Sequence, residues 1–71
     1  MTARPVKHSL TLKGHRTSVS LEDSFWRAFR EIAGERGVAL NMLAAEIDAG
    51  RDADVGLASA IRVFVLETLR R

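Results

Sequence analysis

Seventy-one residues without a cysteine make one small domain with a marginal core, and exclude disulfides and thiolate metal sites, so oligomerisation is the expected remedy. Hydrophobic residues are 46% and charged residues 28%, the balance of a globular domain, and no apolar run approaches the ~20 residues of a membrane span. The formal net charge is only +2, which names no partner until it is located.

That charge is concentrated at one end. Residues 1–21 hold Arg4, Lys7, Lys13 and Arg16 and no acid, a local charge of +4, whereas the remaining seven basic and all nine acidic side chains sum to −2. In a two-fold dimer the basic end doubles to about +8, enough to draw in a polyanion by counterion release. The opening segment, residues 1–6, is polar with a proline and reads as a flexible arm ahead of a domain spanning 7–71. It lacks the apolar stretch of a secretory signal, and with no cysteines a reducing, cytoplasmic setting is expected.

From Lys7 to Leu21 the residues alternate with period two. Leu10 and Leu12 share one face of their run, and Ser9 and Thr11 the other. After Lys13-Gly14, Thr17, Val19 and Leu21 alternate with Arg16, Ser18 and Ser20. Serine, threonine and valine in such alternation predict strand. Lys13-Gly14 fits a two-residue hairpin turn, with Gly14 supplying a positive φ. That register sets Leu12 against His15, Leu10 against Thr17 and His8 against Val19 on the less polar face. On the other, wholly polar and basic, it sets Thr11 against Arg16, Ser9 against Ser18 and Lys7 against Ser20. The alternative is that residues 7–12 extend the second strand into one long ribbon.

A first helix is expected to begin near Glu22-Asp23-Ser24, with Ser20 and Asp23, or Glu22 itself, capping the free N–H groups. Phe25, Ala28, Phe29, Ile32 and Ala33 recur at three- and four-residue spacing and make one apolar stripe. Trp26 at its edge reads as a packing or dimer contact, and His8 as a surface histidine. Arg27 stands four before Glu31, a mildly attractive spacing, and Gly37 is placed to stop the helix in a left-handed conformation.

A second helix is expected from about Leu40 to Ala49, with Leu40, Leu43, Ala44 and Ile47 on one face and Met42 filling core space. Ala39 is a poor N-cap, and Asn41 can substitute from within the first turn. Residues 50–56, rich in glycine and aspartate, read as a flexible connector without calcium-loop spacing. A third helix is expected from about Leu57 to Leu69. Its apolar residues, among them Ile61, Val63, Phe64, Val65, Leu66 and Leu69, wrap most of the circumference, so it must be buried on more than one side. Residues 61–65 would also suit a strand, but the flanking Leu, Ala, Glu and Arg favour helix.

A lone strand needs a partner for its N–H and C=O groups. The strand around Val19 can pair with its own copy across a two-fold axis, with the helices packed on Thr17, Val19 and Leu21. The opposite face then presents Arg16, Ser18 and Ser20 from each chain. A two-stranded antiparallel ribbon fits the major groove of B-DNA, where arginine forks onto guanine and serine reads several base edges. The dimer core expected from this arrangement is Val19, Leu21, Phe25, Phe29, Ile61 and Phe64.

Two segments carry a family resemblance. His15-Arg-Thr-Ser-Val-Ser-Leu-Glu-Asp-Ser-Phe-Trp26, followed by Ile32-Ala-Gly-Glu-Arg-Gly37, resembles the ribbon-helix-helix superfamily of bacterial repressors and antitoxins. That likeness covers Arg16 to about Ile47. Gly14-His-Arg-Thr-Ser-Val-Ser-Leu-Glu22 with Ala45-Glu-Ile-Asp-Ala49 resembles a subgroup with a third helix, over Lys7 to Leu69. The resemblance implies a mainly α fold with a short β-ribbon, as an intertwined homodimer with an intermolecular antiparallel sheet and an additional C-terminal helix. By position it makes Arg16, Ser18 and Ser20 the base-reading triplet, and the start of the second helix, Leu40 and Asn41, a phosphate anchor. Relatives commonly place a capping serine where this chain has Ala39. Lys7, Lys13 and His15 are expected at flanking phosphates.

The implied partners are double-stranded DNA and a second copy of the chain, with further dimers able to add along the duplex. The expected function is a DNA-binding transcriptional regulator. An antitoxin is an alternative, although no wrapping segment is evident after the third helix; a dimerisation or interaction module without DNA function is another. Two histidines, His8 and His15, among scattered carboxylates make no metal-ligand pattern, and no cofactor is expected. Neither a nucleophile–base pair nor a phosphate loop points to an enzyme, and no cleft for a small-molecule substrate is expected.

Overall fold

The computed structural model describes residues 4–71. Of the arm expected over 1–6, residues 1–3 lie outside the described residues, Arg4 and Pro5 are exposed and without regular structure, and Val6 already belongs to a strand. Strands β1 (Val6–Leu12) and β2 (His15–Leu21) form a two-stranded antiparallel hairpin. Three helices follow, α1 (Asp23–Arg36), α2 (Leu40–Gly50) and α3 (Leu57–Leu69).

Residues 7–12 therefore pair within the chain rather than lengthening the second strand. The register runs from Leu12 opposite His15 through Ser9 opposite Ser18 to Val6 opposite Leu21, as the Lys13-Gly14 turn requires. Both turn residues have positive φ, 51° at Lys13 and 84° at Gly14, the pattern of a type I′ turn, whose twist suits a hairpin. A lysine there is uncommon, because left-handed backbone crowds a Cβ atom.

One side of the hairpin faces the helices. Leu10, Leu12, Val19 and Leu21 are buried there, with α2 packed on β1, α3 on β2, and α1 against both helices. The core is completed by Phe29, Ile32 and Ala33 of α1, Leu43 and Ala44 of α2, and Ile61 and Val65 of α3. Phe29 meets the edge of Phe64 at 6.5 Å between ring centroids. The Trp26 ring stacks on His8, centroids 3.8 Å apart and planes within 5°, which ties α1 to β1 and takes His8 out of the role of a free surface histidine.

Several local expectations are revised. Thr17 lies on the helix side of β2 but is exposed, because an open hollow bordered by Leu12, Ala45, Asp48 and Leu57 lies beneath it. Met42 is 57% exposed on α2 and fills no core space. Glu22 is the α1 N-cap residue but makes no capping hydrogen bond, since its carboxylate is held by Arg62 Nε at 2.9 Å. Asn41 does not cap α2; its Oδ1 accepts the Thr11 N–H at 3.2 Å. Arg27 pairs with Asp23 at 2.9 Å rather than with Glu31. The connector after α2 is braced by Arg51, which bonds Asp48 at 2.8 Å and donates to the Val55 carbonyl at 2.7 Å. Gly37 ends α1 at φ 68°, as expected of a left-handed stop.

Val19, Leu21, Phe29 and Ile61 are all buried in the chain's own core, while Phe25 and Phe64 are half-buried. Burial of the first four needs no second copy. The apolar residues that α3 leaves exposed are Val63, Leu66 and Leu69.

Candidate nucleic-acid interface

In an antiparallel hairpin, alternate residue pairs are hydrogen-bonded across the strands and the others turn their backbone groups outward. With Leu12 and His15 closing a two-residue turn, the outward residues are Lys7, Ser9 and Thr11 on β1 and Arg16, Ser18 and Ser20 on β2. Two contacts agree with this parity. The Thr11 N–H donates to Asn41 Oδ1, and the Ser20 carbonyl accepts from Arg62 Nη2 at 3.3 Å.

The side chains of the same six residues share the face turned away from the helices, and all six are exposed. They comprise two cations and four hydroxyls, with no acid among them. The structure thus brings Arg16, Ser18, Ser20 and Lys7 onto one surface, with Lys13 exposed at the turn tip beside it. His15 is not brought there: it is exposed on the helix side, in register with Leu12.

The start of α2 lies against the outer edge of β1, held by the Asn41–Thr11 bond. The half-buried Leu40 side chain packs against the core, so what this position offers to the outside is its backbone. No side chain caps α2 and its first turn holds no acid, whereas α1 has Asp23 in that place. The first N–H groups of a helix lack intrahelical partners and carry the positive end of its dipole. At α2 that positive end is left without an acidic neighbour on its own first turn.

Arg62 went unnoticed in the sequence, although it is the single charge within residues 57–66. An isolated charge inside an apolar helix needs a partner, and that was the available signal. Its guanidinium bonds both Glu22 and the Ser20 carbonyl and lies 5.8 Å from the centroid of the Phe25 ring. The hydrogen bond from Arg62, assisted by the backbone, holds the Glu22 carboxyl below its ordinary value, against a smaller opposing effect of burial. The end of β2, the start of α1 and the middle of α3 are thereby tied at one point.

Contrary to the expectation of no cleft, an open groove of about 550 Å³ runs between α2 and α3. Its lining includes Ile47, Val55, Val63 and Phe64 with a charged rim of Arg36, Glu46 and Arg51, and holds no serine, cysteine or histidine. Among the described residues, no group of three or more His, Asp or Glu side chains is placed to hold a metal ion. No helix among them is long and apolar enough to cross a membrane.

A model of the ribbon-helix-helix domain family matches residues 5–69. The chain belongs to the ribbon-helix-helix family. The match takes in the hairpin and all three helices, so α3 is part of this ribbon-helix-helix domain rather than an appendage to it. Domains of the family are typically DNA-binding regulators or antitoxins, typically dimerise, and are generally not enzymes. No curated protein and no solved structure matches the chain.

Proposed function

We propose that this ribbon-helix-helix protein is a cytoplasmic, sequence-specific transcriptional regulator that binds double-stranded DNA as a homodimer. The observation that carries the reading is the exposed, acid-free outer face of the hairpin, in which Arg16, Ser18 and Ser20 also turn their backbone groups to an edge that no strand covers among the described residues. Two such edges pair antiparallel and satisfy the backbone groups that either would leave open. The resulting sheet has the two β2 strands at its centre and a β1 strand on each flank.

With neighbouring strands ~4.8 Å apart, the central pair enters a major groove ~12 Å wide, and the outer strands, ~14 Å apart, fall at its walls. Arg16, Ser18 and Ser20 of both chains then meet base edges, where the arginine fork matches guanine N7 and O6. Lys7 and Lys13 lie toward the phosphates. The α2 N-terminus, beside the β1 edge, offers the backbone N–H groups at Leu40 and Asn41 to a further phosphate. The Asn41 side chain contributes indirectly, by fixing that helix end to the strand. His15, on the other side of the hairpin, has no part in this set.

Selection from random duplex DNA with the purified protein, followed by footprinting, tests the reading. One enriched sequence motif is the expected result, and Arg16→Ala should weaken binding to it by about 1–3 kcal/mol and blur preference at one base pair. Recovery of no motif, or unchanged binding by Arg16→Ala, would refute it.

A further inference from the structure

Helix α3 is apolar on two sides. Ile61 and Val65 face the core and are buried, whereas Leu66, Leu69 and Val63 are 52%, 65% and 54% exposed. At 100° per residue, Leu66 and Leu69 stand four and seven positions after Arg62 and so share its face, while Val63 turns toward the groove with α2. Arg62 itself grips the Ser20 carbonyl on the outer edge of β2. The exposed stripe of α3 is therefore continuous with the open strand edge, joined to it through that one side chain.

We infer that the α3 stripe of Leu66 and Leu69 docks against the same stripe of a second copy, so that the subunit interface runs from the β2 edge onto α3. This rests on the proposed pairing of β2 with β2. Two strands that pair antiparallel within one sheet are related by a two-fold axis perpendicular to it. Because Arg62 fixes α3 at the β2 edge on the helix side, that axis brings the two α3 helices toward each other beneath the central strands. The occupant is thus set by the geometry of the edge, which a second copy of the same chain satisfies on both levels at once. The rest of the core needs no such partner, since Val19, Leu21, Phe29 and Ile61 are already covered.

The chain has no cysteine, so single cysteines report proximity without background. Leu66→Cys should form a disulfide-linked dimer on mild oxidation, while Met42→Cys, equally exposed but on α2, should remain unlinked. In sedimentation equilibrium, the double variant L66D/L69D should raise the dimer dissociation constant by about 30-fold or more, with its helical circular dichroism retained. Ser18→Pro, which removes an edge N–H, separates this inference from the one beneath it. If Ser18→Pro is monomeric while L66D/L69D dimerises as tightly as the parent and Leu66→Cys does not cross-link, the ribbon stands and the α3 contact is wrong. A tetrameric parent that L66D/L69D reduces only to a dimer would place the stripe at another interface and also overturn it. A parent that stays monomeric overturns both.

Discussion

On the helix side of the hairpin, Leu10, Leu12, Val19 and Leu21 are buried; on the other, Lys7, Ser9, Thr11, Arg16, Ser18 and Ser20 are all exposed. The two sets interleave residue by residue along the same strands, so a one-residue slip would exchange them completely. The type I′ turn at Lys13-Gly14 and the apolar contacts to α2 and α3 fix the register together. On the proposed function, stability and DNA contact fall to alternate side chains. Changes on one face should leave the property of the other intact.

The largest effect expected is on the buried face. Leu21 is 0% exposed, and Leu21→Ala should cost about 2–5 kcal/mol in urea denaturation, a large fraction of the total stability of so small a domain. Arg16→Ala, on the opposite face, should leave the denaturation midpoint within about 0.5 kcal/mol of the parent while impairing DNA binding. A severe loss of stability in Arg16→Ala would mean that the outer face is packed against something in the folded protein.

Next come the lysines at the rim of the polar face. Lys7→Ala and Lys13→Ala should each weaken binding to all sequences alike and reduce the slope of log affinity against log salt by about 1. His15→Ala, on the helix side, should leave that slope unchanged. Equal slopes for all three variants would remove the distinction between the two sides. The turn that maintains this distinction should be sensitive in proportion to its strain: Gly14→Ala places a Cβ at φ 84° and should destabilise the chain by about 1 kcal/mol.

The hairpin was legible because two short-range signals coincide in it: strict alternation, and a glycine at the second position of a two-residue turn. The helix spans followed from apolar spacing and from Gly37, and α3 falls on the expected residues. What remained hidden depended on contacts between residues remote in sequence. His8 stacks on Trp26, Asn41 reaches Thr11 and Arg62 reaches Glu22, and no periodicity encodes such pairs. Thr17 has the right parity for the core, but parity gives the side of the sheet and not how far the helices extend beneath it. The same limit applies to α3. Its sequence shows that it is apolar on more than one side, yet only the packed chain shows that Ile61 is already covered and Leu66 is not.

The smallest effect concerns the knot between the two faces, where Arg62 binds Glu22 and the Ser20 carbonyl. The Glu22 carboxyl titrates below its ordinary value, chiefly because Arg62 bonds its charged form. A group whose pKa is lower folded than unfolded adds stability above its unfolded pKa and loses that contribution as pH falls through the folded one. The stability advantage of the parent over Glu22→Gln should therefore be full at neutral pH and shrink with acidification through the carboxylate range. In an Arg62→Met background the same comparison should show little pH dependence, since the chief cause of the lowered pKa is gone. Denaturation midpoints of the four proteins across that range check both statements. If Glu22→Gln keeps its full deficit below the carboxylate range, the pair acts through shape or hydrogen bonding of the neutral acid, and charge is not what ties α3 to the end of β2.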